Sequence, residues 1–131
     1  AAGNNIDFEK IIKQNHTIEC RINAENAKDF SPSPGNIKFI NFPGGRGIRV
    51  DTALYTNYKV NPHYDSLILK LISKGNNRDE AISIMKRALN EIIIDGINTN
   101  IDLHKWILSH QDFLNGSYST SWLEKNIFNF Q

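Results

Sequence analysis

At 131 residues, with 40% apolar and 22% charged side chains, the chain has the size and composition of one globular domain with a core of its own. A net charge of +1 with both signs spread along the chain gives no basic stripe, which argues against a nucleic-acid partner. The single cysteine, Cys20, excludes an internal disulfide and fits a reducing compartment; no apolar run approaches the roughly 18–20 residues that span a bilayer, so no membrane partner is expected.

Residues 7–14 read as a short helix with Phe8, Ile11 and Ile12 on one side. From 17 to 24, Ile18, Cys20, Ile22 and Ala24 alternate with Glu19, Arg21 and Asn23, the period-2 pattern of a half-buried strand. Ser31-Pro-Ser-Pro-Gly35 cannot continue a regular element and reads as a rigid turn. A second strand is expected over 36–41, a tight connection over 44–47, a third strand over 48–52 and a longer one over 67–73. Asn77-Arg-Asp-Glu80 then has the form of a helix start, an Asn cap with Glu three positions on. Ala81, Ile84, Met85, Ala88, Leu89 and Ile92 follow at helical spacing. Gly96 ends a short strand, and Thr99-Asn-Ile-Asp102 has cap-like chemistry before Leu103, Trp106 and Ile107. A last helix is expected over 122–127. Strands come first and helices later, which points to α+β rather than to a βαβ repeat. With no repeat, low-complexity tract or linker, residues 1–131 read as one domain, of which about 1–15 form a lead-in segment.

Among polar residues, Arg49 stands out. Gly44, Gly45 and Gly47 permit unusual backbone geometry and close approach of a ligand, and an arginine held by such a turn presents a permanent charge with a fixed donor fork. The plainer reading is a surface arginine paired with Asp51. Arg46 reads as a solvated loop residue. Asp65, beside a strand start, is expected to fix a turn or to pair with a base, and Lys70, set among Leu67, Ile68, Leu69, Leu71 and Ile72, calls for a partner such as Glu19 or Asp65. Cys20 reads as a small core residue. The four histidines, His16, His63, His104 and His110, are scattered, so no zinc site and no other metal site is expected. Ser119, Thr120 and Ser121 precede Trp122-Leu-Glu124 and suit a helix cap.

Several stretches together resemble a known family. They are His16-Thr-Ile-Glu-Cys-Arg-Ile-Asn-Ala-Glu25, Gly44-Gly-Arg-Gly-Ile-Arg-Val-Asp51, Pro62-His-Tyr-Asp-Ser-Leu-Ile-Leu-Lys-Leu-Ile72, Ile94-Asp-Gly-Ile-Asn-Thr-Asn100 and Ser119-Thr-Ser-Trp-Leu-Glu-Lys125. They look like the C-terminal part of biotin carboxylase, the ATP-grasp subunit of acetyl-CoA carboxylase, related to pyruvate and propionyl-CoA carboxylases. The resemblance runs from about residue 16 to about 125. It implies an antiparallel sheet built mainly by the first half and packed with helices from the second. It implies a ligase that uses MgATP and bicarbonate to carboxylate biotin on a separate carrier protein, in fatty acid synthesis. Arg49 would then be the catalytic residue that contacts the biotin ureido group, and Thr120 and Ser121 would line the nucleotide pocket. Gly44, Gly45, Gly47, Tyr64, Asp65 and Lys70 would support the site. His63 departs from the family, which commonly has tyrosine there.

The resemblance further implies a homodimer, a biotin carboxyl carrier protein and carboxyltransferase subunits as partners, and a cytoplasmic or plastid location. The family's Glu-Met-Asn-x-Arg-x-Gln-Val-Glu-His run is absent from this sequence, so the magnesium ligands, the bicarbonate-binding arginine and the catalytic base are expected upstream. Ala1-Ala-Gly-Asn4 has the form of a mid-chain segment of the family, and the 131 residues alone are expected to be inactive. Two other readings stay open: a noncatalytic dimerisation or docking module on the same scaffold, and the equivalent region of a propionyl-CoA carboxylase.

Overall fold

The computed structural model of the chain describes Gly3 and residues 14–130. The helix expected over 7–14 lies outside the described residues except for Gln14, which is in no regular element. In chain order the elements are β1 (His16–Asn23), β2 (Gly35–Asn36), β3 (Phe39–Asn41), β4 (Ile48–Thr52), β5 (Lys59–Val60), β6 (Leu67–Gly75), α1 (Arg78–Glu91), β7 (Ile93–Asp95), α2 (Ile101–Ser109), α3 (Gln111–Asn115) and α4 (Trp122–Asn126), with a 3₁₀ turn over Ile127–Asn129. The architecture is α+β, as the order of patterns suggested.

The main sheet is three-stranded and antiparallel, in the order β1-β6-β4. Its register sets Cys20 opposite Leu71 and Leu71 opposite Val50, while the next row sets Arg21 opposite Lys70 and Lys70 opposite Asp51. Alternation therefore gives the sheet one apolar and one charged face. The apolar face, with Cys20, Ile22, Leu69 and Leu71, packs on Ile82, Met85, Ala88 and Leu89 of α1. Ser73 also points into this core and is satisfied, donating from Oγ to the Ala81 carbonyl at 2.9 Å. Burial pushes the Cys20 thiol up to about 12, with nearby Glu19 adding to the shift, so the cysteine sits in the core as a neutral, apolar group.

α1 begins as its sequence suggests: the Asn77 side chain accepts from the Glu80 N–H at 2.9 Å. The Glu80 carboxylate reaches back one residue further than a standard capping box and accepts from the Asn76 N–H at 2.8 Å. Ile82 rather than Ile84 fills the buried face, because it lies on the side turned to the sheet.

The strand expected over 36–41 is two strands. β2 pairs with β5 and β3 with β7, in separate two-stranded ribbons. Between them the chain changes partner within two residues: the Ile37 N–H bonds to the Tyr58 carbonyl at 2.9 Å and the Lys38 N–H to the Asp95 carbonyl at 2.8 Å. Ile37, fully buried, anchors a second small core with Ala24 and Val60.

The chemistry at 99–102 also acts differently from a helix cap. Asn100 occupies the cap position of α2, where its carbonyl accepts from the His104 N–H at 3.2 Å but its side chain makes no capping bond. Its Oδ1 accepts from the Asn23 N–H at 2.9 Å and its Nδ2 donates to the Arg21 carbonyl at 3.1 Å. The ladder shifts register between Ile22 and Asn23, and Asn100 supplies partners for backbone groups beside that shift. α3, not apparent in the sequence, is capped by His110, whose Nδ1 accepts from the Asp112 N–H at 3.2 Å. Among the described residues no helix is long and apolar enough to cross a membrane.

Candidate functional site

The charged face of the main sheet carries Glu19 and Arg21 from β1, Lys70 from the central β6, and Arg49 and Asp51 from β4. Beside it, the loop that enters β6 and the strand end before it enclose an open pocket of about 440 Å³. Asp51, Tyr58, Tyr64, Asp65 and Lys70 contribute its polar lining, with Leu54 and Val60 beneath. Tyr64, Asp65 and Lys70 are thus brought together. Asp65 has the turn-fixing role its position suggested: its carboxylate accepts from the Leu67 N–H at 2.8 Å. Lys70 pairs with neither expected partner. No ion pair among the described residues includes it: the register sets it between Asp51 and Arg21, and the Asp51 carboxylate lies against Arg49 instead.

Arg49 lies on β4, an edge strand, with its side chain 69% exposed and 3.1 Å from the Asp51 carboxylate. Two of the three glycines before it are explained by the fold itself: Gly45 has φ +94°, whereas a Cβ at Gly44 would meet nothing within 4 Å. Gly47 has φ +79°, and a Cβ there would sit 2.6 Å from the Lys74 carbonyl. The Gly47 carbonyl in turn accepts from the Lys74 N–H at 2.8 Å. Arg87 of α1 donates to the Gly44 carbonyl at 3.1 Å while binding Glu91, and so holds the outer side of the turn. At position 47 the turn needs glycine to close on β6, whether or not a ligand approaches. Arg46 is exposed, as expected for a loop residue.

Arg21 is the second arginine on this face. Its strand is clamped from α2: the Arg21 carbonyl accepts from Asn100 at 3.1 Å and from His104 Nε2 at 2.9 Å. Its side chain is exposed and forms no ion pair among the described residues. Sequence reasoning passes over it because the glycine turn gives the stronger local signal. The signal that could have found it is its alternation to the charged side of β1.

Burial lowers the pKa of His104, and the bond to the Arg21 carbonyl partly offsets that effect. With its folded-state pKa below the unfolded value, the imidazole takes up protons on unfolding as pH falls below about 6.5. The unfolded chain then binds more protons than the folded one, so stability contributed by neutral His104 is present above that pH and lost beneath it. Urea titrations of the wild-type chain and His104→Gln at pH 7.5 and 5.5 should show a smaller acid loss in the variant. Equal losses would place the acid sensitivity elsewhere.

Thr120 and Ser121 belong to a separate region, the loop between α3 and α4, outside the pocket that holds Lys70. Ser121 stands at the cap position of α4 and makes no capping bond; its Oγ lies 3.2 Å from that of Ser119. The hydroxyls of this loop are therefore not used up by the helix. Among the described residues no group of three or more His, Cys, Asp or Glu side chains is placed to hold a metal ion.

Comparison with known proteins bears directly on this arrangement. The family model for the biotin carboxylase C-terminal domain matches residues 19–125. The biotin carboxylase of Pseudomonas aeruginosa is 48% identical over 119 residues, which cover 91% of this chain and 26% of that protein. A pyruvate carboxylase subunit of Methanothermobacter thermautotrophicus is 47% identical over 128 residues, covering 95% of this chain and 26% of that protein. Among solved structures, the Campylobacter jejuni biotin carboxylase, crystallised as a β-γ-ATP complex, superposes with a TM-score of 0.87 at 41% identity, over 93% of this chain and 27% of the other. The chain spans about a quarter of the length of the proteins it resembles.

Proposed function

The chain belongs to the biotin carboxylase C-terminal domain family, and on that premise we propose that it works as the C-terminal region of a biotin carboxylase subunit. The observation that carries the proposal is the joint match of sequence and fold, 48% identity to one biotin carboxylase and a TM-score of 0.87 to another. The complete subunit is proposed to use MgATP to activate bicarbonate and to carboxylate biotin on a separate carrier protein, with carboxyltransferase subunits downstream and a homodimer as the working unit. Residues that hold magnesium and activate bicarbonate are assigned to other parts of that subunit, in the cytoplasm or a plastid.

What this chain's own residues contribute follows from where they stand. When bound, biotin supplies a ureido nitrogen as the carboxyl acceptor, and negative charge develops on the ureido oxygen as that nitrogen loses its proton. The protein's part is placement and charge. A fixed cation facing that oxygen stabilises the developing charge without reorganisation. Two arginines on the charged sheet face are proposed for this task, Arg49 and Arg21. Arg49 is already partly neutralised by Asp51 and lies on a free edge. Arg21 is clamped through its backbone and has no acid partner among the described residues, so the geometry favours Arg21. Tyr64, Asp65 and Lys70 are proposed as the wall of the same region, and Thr120 and Ser121 as contacts to the nucleotide base.

The final carboxyl acceptor of the complete system is a finer matter, since relatives of the biotin carboxylase and pyruvate carboxylase kinds match almost equally, at 48% and 47%. The Glu19-Cys-Arg-Ile-Asn-Ala-Glu25 stretch supports the acetyl-CoA type, with a propionyl-CoA carboxylase as the alternative. In the complete subunit, free biotin should stimulate ADP release from MgATP and bicarbonate. A folded subunit that shows no stimulation, even with its carrier protein supplied, would move the assignment to a noncatalytic docking module.

A further inference from the structure

The loop that carries Thr120 and Ser121 is held in place from outside its own helices. α3 ends at Gly116, and the Ser117 N–H returns to the Asp112 carbonyl at 2.8 Å. Beyond the loop, Trp122 Nε1 donates to the Asp112 carboxylate at 2.8 Å. Between these two ties stands Tyr118, whose ring stacks on Phe113 with centroids 5.0 Å apart and planes inclined by 17°. Arg78, the first residue of α1, closes the arrangement. Its guanidinium donates to the Phe113 carbonyl and lies 4.8 Å from the Phe113 ring centre and 5.8 Å from that of Tyr118.

One side chain therefore links the start of α1, and through it the main sheet, to both stacked rings and to the end of α3. An arginine suits this because its plane can stack while its edge donates. Its Nη1 also lies 3.4 Å from His16 Nε2 on β1, while its Nε is buried without an acceptor among the described residues. The guanidinium keeps this position despite an unmet donor, so stacking and the Phe113 carbonyl determine where it sits. No hydrogen bond among the described residues joins it to Thr120 or Ser121, and it acts on them by fixing Tyr118.

We infer that Arg78 is a positioning residue for nucleotide binding, setting the 117–121 loop through its stack on Phe113 and Tyr118. The inference rests on the reading of Thr120 and Ser121 as contacts to the base. Removing the stack loosens the loop and weakens ATP binding in the ground state and transition state alike, which raises KM for ATP and leaves kcat in place.

The test compares steady-state kinetics of the complete wild-type subunit with those of its variants, at varied ATP and varied bicarbonate. Arg78→Lys, which keeps the charge and loses the planar stack, and Tyr118→Ala, at a half-exposed position, should each raise KM for ATP about fivefold or more, with kcat and KM for bicarbonate within about twofold. Tyr118→Phe, which keeps the ring, should behave as wild type. Thr120→Trp, which obstructs the loop directly, separates the two readings. If it raises KM for ATP while Arg78→Lys and Tyr118→Ala do not, Arg78 has no positioning role and the base contact stands. If all three leave KM for ATP unchanged, the base contact is wrong and the inference falls with it. A drop in kcat with KM for ATP unchanged in Arg78→Lys marks a purely structural residue and overturns the inference as well.

Discussion

Replacing Arg21 by alanine in the complete subunit should lower biotin-dependent ADP release by about a hundredfold, within the range lost when one preorganised donor to a developing oxyanion is removed. Arg49→Ala should lower it by less than about tenfold. The difference follows from what each charge already does. The Arg49–Asp51 contact at 3.1 Å joins side chains that are 69% and 47% exposed. Such a surface pair contributes only about 0–1 kcal/mol to stability, yet a ligand that recruits Arg49 must compete with a carboxylate. Arg21 has no ion-pair partner to release among the described residues, and Asn100 and His104 hold its backbone from α2. The control is Asp51→Asn, which leaves Arg49 unpaired. If Arg49→Ala costs as much as Arg21→Ala, or if Asp51→Asn raises activity, Arg49 regains the role that its glycine turn first suggested. Each variant is compared at matched folded fraction by circular dichroism, so that loss of fold is not read as loss of chemistry.

Which parts of this arrangement were legible follows from the range of the interactions that set them. β1, β4, β6 and α1 were readable because alternation and the 3.6-residue period record which side chains face the core. The α+β class followed from their order. The break at Ile37 was not readable, since it depends on two partners far along the chain, Tyr58 and Asp95. Asn100 looked like a helix cap by composition, but its side chain serves backbone groups 77 and 79 residues away. α3 has five residues, too few to show a period.

The weight that the sequence places on the glycine turn has the same origin. Glycines at 44, 45 and 47 signal a backbone constraint, and the sequence does not say whether a ligand or the protein imposes it. Here the Lys74 carbonyl accounts for Gly47. That accounts for Gly47 without a ligand beside Arg49, leaves Gly44 without a steric reason, and does not touch the case for the sheet face as a whole. Tyr64, Asp65 and Lys70, close together in sequence, line one pocket because a strand entry keeps neighbours together in space.

Gly96→Ala should destabilise the chain itself by more than about 3 kcal/mol, the sum of a strained backbone and a steric conflict that cannot relax cheaply. Gly96 has φ +106°, and a Cβ there would lie 2.2 Å from the Asn36 carbonyl oxygen and 3.0 Å from the Lys38 nitrogen. Those atoms are backbone, flanking the point where the chain leaves the β2–β5 ribbon for the β3–β7 ribbon. Relief would require moving one strand away from the other, which breaks the Lys38-to-Asp95 bond at 2.8 Å or the Ile37-to-Tyr58 bond at 2.9 Å. Two-stranded ribbons have little stability of their own and persist here by packing Ile37, Ile40 and Ile94 into the second core. The damage should therefore spread to β5, and with it to Val60 and Tyr58 under the candidate pocket. Gly44→Ala is the matched control: a Cβ there meets nothing within 4 Å, so its cost should stay within about 1 kcal/mol. Urea unfolding of the wild type and both variants measures the two costs directly. Equal and small losses would mean that the ribbon crossing yields without strain and does not hold the pocket floor.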